Sequence, residues 1–138
     1  MSAGYSGTPL HRKLGIKPGH RVALLDAPAG FDATLGPLPD DVTVRRDLDG
    51  GEPVDVTVLF VTERHELAAR LDGVRRRMAQ DGGFWVGWPK KSSKVPTDIT
   101  EDVIREVALP TGLVDNKVCA IDDVWSGLRL VIRREHRR

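Results

Sequence analysis

The sequence holds one cysteine in 138 residues, a single tyrosine, and only 5% aromatic residues overall. A lone Cys119 excludes a disulfide framework and a thiolate metal cluster. No apolar run approaches the roughly 20 residues of a membrane-spanning helix. The opening MSAGYSGTPLHRK also lacks the apolar core of a signal peptide. An excess of one charge is missing too: the formal net charge is +1, which excludes a globally basic nucleic-acid binder. His11, His20, His65 and His136 are scattered without the spacing of a metal site. What is present, 40% hydrophobic and 30% charged residues, fits one globular domain over 1–138. The expected setting is the cytoplasm, with 1–7 and 135–138 as loose tails.

Thr8-Pro9 suggests a helix opening, with the threonine as cap, Leu10 and Leu14 on the helix, and an end near Gly15. RVALLDA (21–27) is apolar enough for a strand covered on both faces. PAGFDATLG (28–36) has room for one or two helical turns before Pro37 and Pro39. VTVRR (42–46) and VDVTVLFV (54–61) read as β-branched strands. Leu67, Leu71, Val74 and Met78 then fall at helical spacing, which predicts a helix over about 62–80, stopped by Asp81-Gly82-Gly83. FWVGWP (84–89) is the next strand. Thr100 caps a helix through Val103, Ile104, Val107 and Ala108, ended by Pro110 and Gly112. Strands at 113–121 and 127–134 close the chain, and too little chain separates them for a crossover helix, so they should pair antiparallel. The fold class expected is α/β: a single three-layer, mostly parallel sheet with a C-terminal antiparallel hairpin.

Chemistry concentrates in the loop after the 84–88 strand. Lys90, Lys91 and Lys94 suit a phosphate or carboxylate, Ser92, Ser93 and Thr97 offer hydroxyl donors, and a helix N-terminus follows at Thr100. The loop also sits at the carboxyl end of a strand, where open α/β sheets bind ligands. It lacks the glycine spacing of a phosphate-binding P-loop. Trp85 and Trp88, three apart, should face opposite sides of the sheet. Trp88 and Trp125 are candidate aromatic contacts, although packing is the commoner role of a tryptophan. Cys119 sits in an apolar strand and reads as a core residue, and Asp122-Asp123 as a solvated turn pair.

From Val54 to Arg134 the order of elements resembles the second half of a class I methyltransferase-like Rossmann domain, with DGGFWVGWP as the strand after its glycine pair. The pieces GYSGTPL (4–10), WPKK (88–91) and VCAIDDVWSGLRLV (118–131) are similar to those of an uncharacterised bacterial family of unknown function. The first resemblance implies a Rossmann-like sheet and places a nucleotide edge at Pro28, Gly30 and Asp47. It also points to S-adenosylmethionine, but Asp26-Ala27-Pro28-Ala29-Gly30 has one glycine and a proline without an N–H, so no cofactor is expected. The expected function is a non-enzymatic binding or regulatory module that engages an anionic small molecule or an acidic protein surface at the 88–97 loop. The alternatives are a degenerate S-adenosylmethionine-dependent methyltransferase-like enzyme, and nucleic-acid binding through Arg75, Arg76, Arg77 and the basic tail. No aromatic recognition motif accompanies that arginine run, which disfavours nucleic acid.

Overall fold

The computed structural model describes residues 8–137; residues 1–7 and Arg138, expected as tail ends, lie outside the described residues. The elements are α1 (Leu10–Lys13), β1 (Arg21–Leu25), α2 (Phe31–Leu35), β2 (Thr43–Arg45), β3 (Val54–Phe60), α3 (Arg64–Arg77), β4 (Met78–Pro89), α4 (Glu101–Ala108), β5 (Leu113–Ala120) and β6 (Trp125–Ile132). They build one six-stranded sheet in the order β2-β1-β3-β4-β6-β5. β2, β1, β3 and β4 run parallel, and β6 is antiparallel to both β4 and β5. The expected mostly parallel sheet with a C-terminal hairpin is present.

Two apolar clusters make the three layers. One joins Ala23, Leu25, Leu59 and Val86 of the sheet to Leu67, Leu71 and Val74 of α3 and Ile104 and Ala108 of α4. The other joins Val22, Leu24, Val56, Val58, Phe60 and Trp85 to Leu14 beside α1 and to Phe31 and Leu35 of α2. Period-two alternation along β1 and β3 sends neighbouring residues to opposite clusters, so both faces must be apolar. The first half of the sheet is abbreviated. Residues 46–53 return from β2 to β3 with no helix, and Leu48 packs on the α3 cluster in its place. Arg77 holds this loop by donating to the carbonyls of Gly50 and Glu52.

Several boundaries differ from the sequence expectation. Pro9 occupies the N-cap of α1, and no side chain caps that helix. α3 ends at Arg77, and Met78 begins β4 rather than closing the helical stripe. Asp81-Gly82-Gly83 is therefore inside a strand. Its pairing jumps from Val54↔Met78 to Val56↔Gly83, a large bulge. Helical spacing misled here because a buried strand start continues the same apolar stripe. Gly82 is required by the bulge: a Cβ there would stand 2.9 Å from the Asp55 carbonyl oxygen. The 135–138 segment, expected to be loose, is held as far as Arg137. Residues 134–136 form a 3-10 turn, and Arg137 Nε donates to the Ile132 carbonyl at 2.9 Å.

Candidate binding site

β4 delivers the lysine loop to the carboxyl edge of the sheet. The Lys90 N–H donates to the Val124 carbonyl at 2.6 Å, joining the loop to the β5–β6 turn. Lys91–Ser93 form a 3-10 turn, and Lys94 ends it at φ 62, a left-handed conformation costly for any residue with a Cβ. Ser93 Oγ donates to the Lys90 carbonyl at 2.6 Å and accepts from the Val95 N–H at 3.2 Å. Thr97 Oγ1 donates to the Thr62 carbonyl at 2.6 Å and accepts from the Ile99 N–H at 3.0 Å. The hydroxyls of Ser93 and Thr97 thus shape the loop instead of standing open as donors; Ser92 is exposed.

The turn between β3 and α3 is closed in the same way. Glu66 Oε1 accepts from the N–H groups of Thr62 and Glu63 at 3.1 and 3.0 Å. These bonds, the Thr62 one above all, hold the Glu66 carboxyl below its usual pKa against a smaller cost of burial. Asp98 Oδ1 accepts the Arg64 N–H at 2.7 Å, while its own N–H reaches the Thr62 carbonyl. Ser93, Thr97 and Asp98 of the β4–α4 connection and Glu66 of α3 consume backbone groups that a ligand at this edge would use.

α4 is capped as expected, with Thr100 Oγ1 accepting from the Val103 N–H at 3.2 Å. A concavity of about 610 Å³ opens beside it, floored by Trp88, Pro89 and Ile99 and edged by Lys91, Thr97 and Arg105. Its charge is mixed. Arg105 bridges Glu101, Asp102 and Asp115 at 2.9–3.1 Å, and the Asp115 hydrogen bond foremost raises its pKa. The acidic first turn therefore answers the positive helix end that was expected to attract an anion. Lys90, Lys91 and Lys94 are different: among the described residues none faces a carboxylate at ion-pair distance. Arginines at the same edge do, as in Arg64–Glu106 and Arg70–Asp26.

Of the expected nucleotide edge, Pro28 and Gly30 fall between β1 and α2, and Asp47 on the loop after β2. Asp26, directly after β1, is left-handed at φ 56 and pairs with Arg70 of α3 at 2.9 Å. Gly30, at φ 86, is the N-cap of α2, and Asp32 of that helix pairs with Arg46 at 2.8 Å. Asp47 accepts from Arg45 and from the Asp49 N–H, and the Arg45 bond foremost lowers its pKa. Asp47 shares its concavity with Arg21 and Arg77, not with Pro28 or Gly30. Five well-formed concavities are lined by other residues and take no wall from residues 26–30. At this turn Pro28 has no N–H to donate, and Asp26 is engaged by Arg70.

The aromatic residues pack. Trp88 is buried against the α4 side, and Trp125 meets the Phe60 ring edge-on at 5.1 Å. Trp85, on the opposite face as expected, is fully buried, and its Nε1 donates to the Leu14 carbonyl at 3.0 Å. The arginine run fans out: Arg76 pairs with Asp72, Arg77 holds the 46–53 loop, and Arg75 lies near His136. Burial raises the Cys119 thiol pKa, opposed by Lys13 and Lys117. Asp98 and Arg105 were not singled out from the sequence, and Glu66 only as an acid in the first turn of the helix over about 62–80. Glu66 alone had a signal, an acid three residues beyond the N-cap Glu63.

The parallel sheet with an inserted antiparallel strand defines a methyltransferase-like Rossmann fold, and solved structures agree. A SAM-dependent methyltransferase from Aquifex aeolicus superposes with TM-score 0.62 at 17% identity, covering 88% of this chain and 87% of that one. The N-methyltransferase NodS from Bradyrhizobium japonicum WM9 gives TM-score 0.60 at 13% identity, with 94% and 100% covered. Magnesium protoporphyrin IX methyltransferase from Synechocystis PCC 6803, solved with SAH bound, gives 0.56 at 13%, with 83% and 74% covered. At such identities the likeness is one of fold. No curated protein matches the chain. Residues 12–134 match the model of DUF3052, a protein family of unknown function, and the chain belongs to that family.

Proposed function

We propose that this chain is a non-enzymatic binding module that docks an acidic protein surface on the Lys90–Lys94 loop, using the reduced Rossmann sheet as a rigid support. The observation that carries this reading is the set of three lysines, without carboxylate partners among the described residues, on a loop where the Ser93 and Thr97 hydroxyls are committed to the backbone. A surface that leaves cations unpaired while its neighbours pair is poised for an external anion. Two exposed apolar residues adjoin the lysines: Val95 at 39% exposure, and Val124, whose carbonyl holds Lys90, at 36%. They would add dry contact to the charged one.

A poly-glutamate peptide is the probe. The wild-type chain should bind it saturably, more weakly as salt rises, and K90A/K91A/K94A should lose about tenfold in affinity or more. Equal binding by the two proteins overturns the reading. A second reading, an S-adenosylmethionine-dependent enzyme, is favoured by the fold shared with a structure that holds SAH. Calorimetric titration with S-adenosylmethionine separates the two. No heat is expected, and a saturable signal transfers the weight to the enzyme.

A further inference from the structure

The amino edge of the sheet, opposite the lysine loop, carries a second feature. On β4 and β6, Trp85 pairs with Arg129, and on β5 Lys117 pairs with Arg129, so these three share one face and one row. The Arg129 guanidinium lies over Gly83: a Cβ there would stand 2.5 Å from Arg129 Nε. The glycine is what allows an arginine to lie flat on the sheet. Among the described residues that guanidinium makes a long hydrogen bond, 3.4 Å, to Asn116 Oδ1. Among the described residues no carboxylate reaches it. Burial, and to a lesser degree the charge of Arg137, pushes its pKa down. Desolvating a cation without a counter-ion is unfavourable, and a bound anion would relieve it.

Arg129 forms one wall of a cleft of about 290 Å³ between the α1–β1 connection and the hairpin. Lys13, Lys17 and Lys117 line it as well, against two carboxylates, Asp55 and Asp81. Asp55 is already engaged, accepting the Arg21 N–H at 2.8 Å. His20 Nδ1 accepts from the Lys17 N–H at 3.1 Å, which leaves its Nε2 as a donor. The cleft is held in shape by the Trp85 indole, which fixes the Leu14 carbonyl in its wall.

We propose that this cleft binds a small oxyanion carrying at least two negative charges, a phosphate or a di- or tricarboxylate, with Arg129 as its central contact. Its size is at the small end of ligand pockets, roughly 300–1,000 Å³, and suits such a ligand better than a nucleotide. The planar guanidinium grips two oxygens at once, and the lysines supply point charge around it. The site is independent of the lysine loop, so either proposal can fail alone.

Inorganic phosphate and citrate, titrated separately into the full chain, are the probes, followed by amide NMR shifts at fixed ionic strength. Saturable shifts at Gly82, Gly83, Lys117 and Arg129 are expected with at least one of them, and which one saturates identifies the ligand class. R129Q should weaken that binding about tenfold or more. G83A, which keeps every charge but displaces the guanidinium, should weaken it also. K90A/K91A/K94A should leave it unchanged. Shifts that never saturate with either probe, or that are equal in wild type, R129Q and G83A, overturn the proposal. If R129Q does not fold, G83A and K117Q, a change at an exposed position, decide the matter: both keep residue 129 an arginine, and both should weaken the binding.

Discussion

The two ends of the sheet differ in how their polar groups are spent. At the carboxyl edge Glu66, Thr97, Asp98 and the Asp26–Arg70 pair consume the turns between strands and helices. At the amino edge Arg129 lies half-buried with no carboxylate at ion-pair distance among the described residues, in a cleft edged by lysines and by Asp55 and Asp81. α/β sheets usually bind ligands at the carboxyl ends of their strands. Here much of that edge is sewn to itself, while its outer lysines remain available. The lesson is that a shared fold locates an edge, while the bookkeeping of individual donors and acceptors decides which edge is open.

Four experiments break or sharpen this contrast, in descending order of effect. Trp85→Ala should be the most damaging, costing about 3–5 kcal/mol in urea or thermal unfolding, because a fully buried indole leaves a cavity and an unpaired Leu14 carbonyl. Trp85→Phe, which keeps most of the volume, isolates the hydrogen bond at about 1–3 kcal/mol. At the other edge Thr97→Val should cost about 1 kcal/mol and loosen the 95–99 backbone, seen as faster amide exchange at Ile99.

The third test is pH. The folded-state pKa of Glu66 is depressed, so its contribution is fully present above the unfolded-state value, roughly 4.3, and is lost as pH falls through the folded value. Glu66→Gln should flatten that part of the acid-unfolding curve; an unchanged curve would mean that Glu66 does not hold the turn. The smallest effect is a gain. Lys94→Gly relieves the left-handed backbone and should add up to about 1 kcal/mol in urea unfolding, while removing one of the three loop charges.

Much of the fold was legible because both its periods are strongly written. Val22 to Leu25 and Val58 to Phe60 are apolar on successive residues, which only a strand covered on both faces explains. Thr100 was readable as a cap from its type and the acids behind it. The α3–β4 junction was not, because Met78 sits where both a helical stripe and a buried strand would place an apolar residue. The lysine loop was legible as a location, but the fate of its hydroxyls was not, since Thr97 bonds to Thr62, 35 residues away. Arg129 was the quietest signal of all: one charge between Leu128 and Leu130 on a strand. An arginine there reads as a solvent-facing alternation until Gly83 is found beneath it.

The place of β6 has a consequence for how the chain is made. It is the last strand in sequence, yet it lies inside the sheet, between β4 and β5. A chain emerging from the ribosome can pair β2, β1, β3 and β4 early, but β4 keeps a bare edge and β5 has no strand to join until residues 125–132 appear. From the time Pro89 is made until residues 125–132 follow, the nascent protein therefore carries an open, apolar strand edge, which β6 then closes.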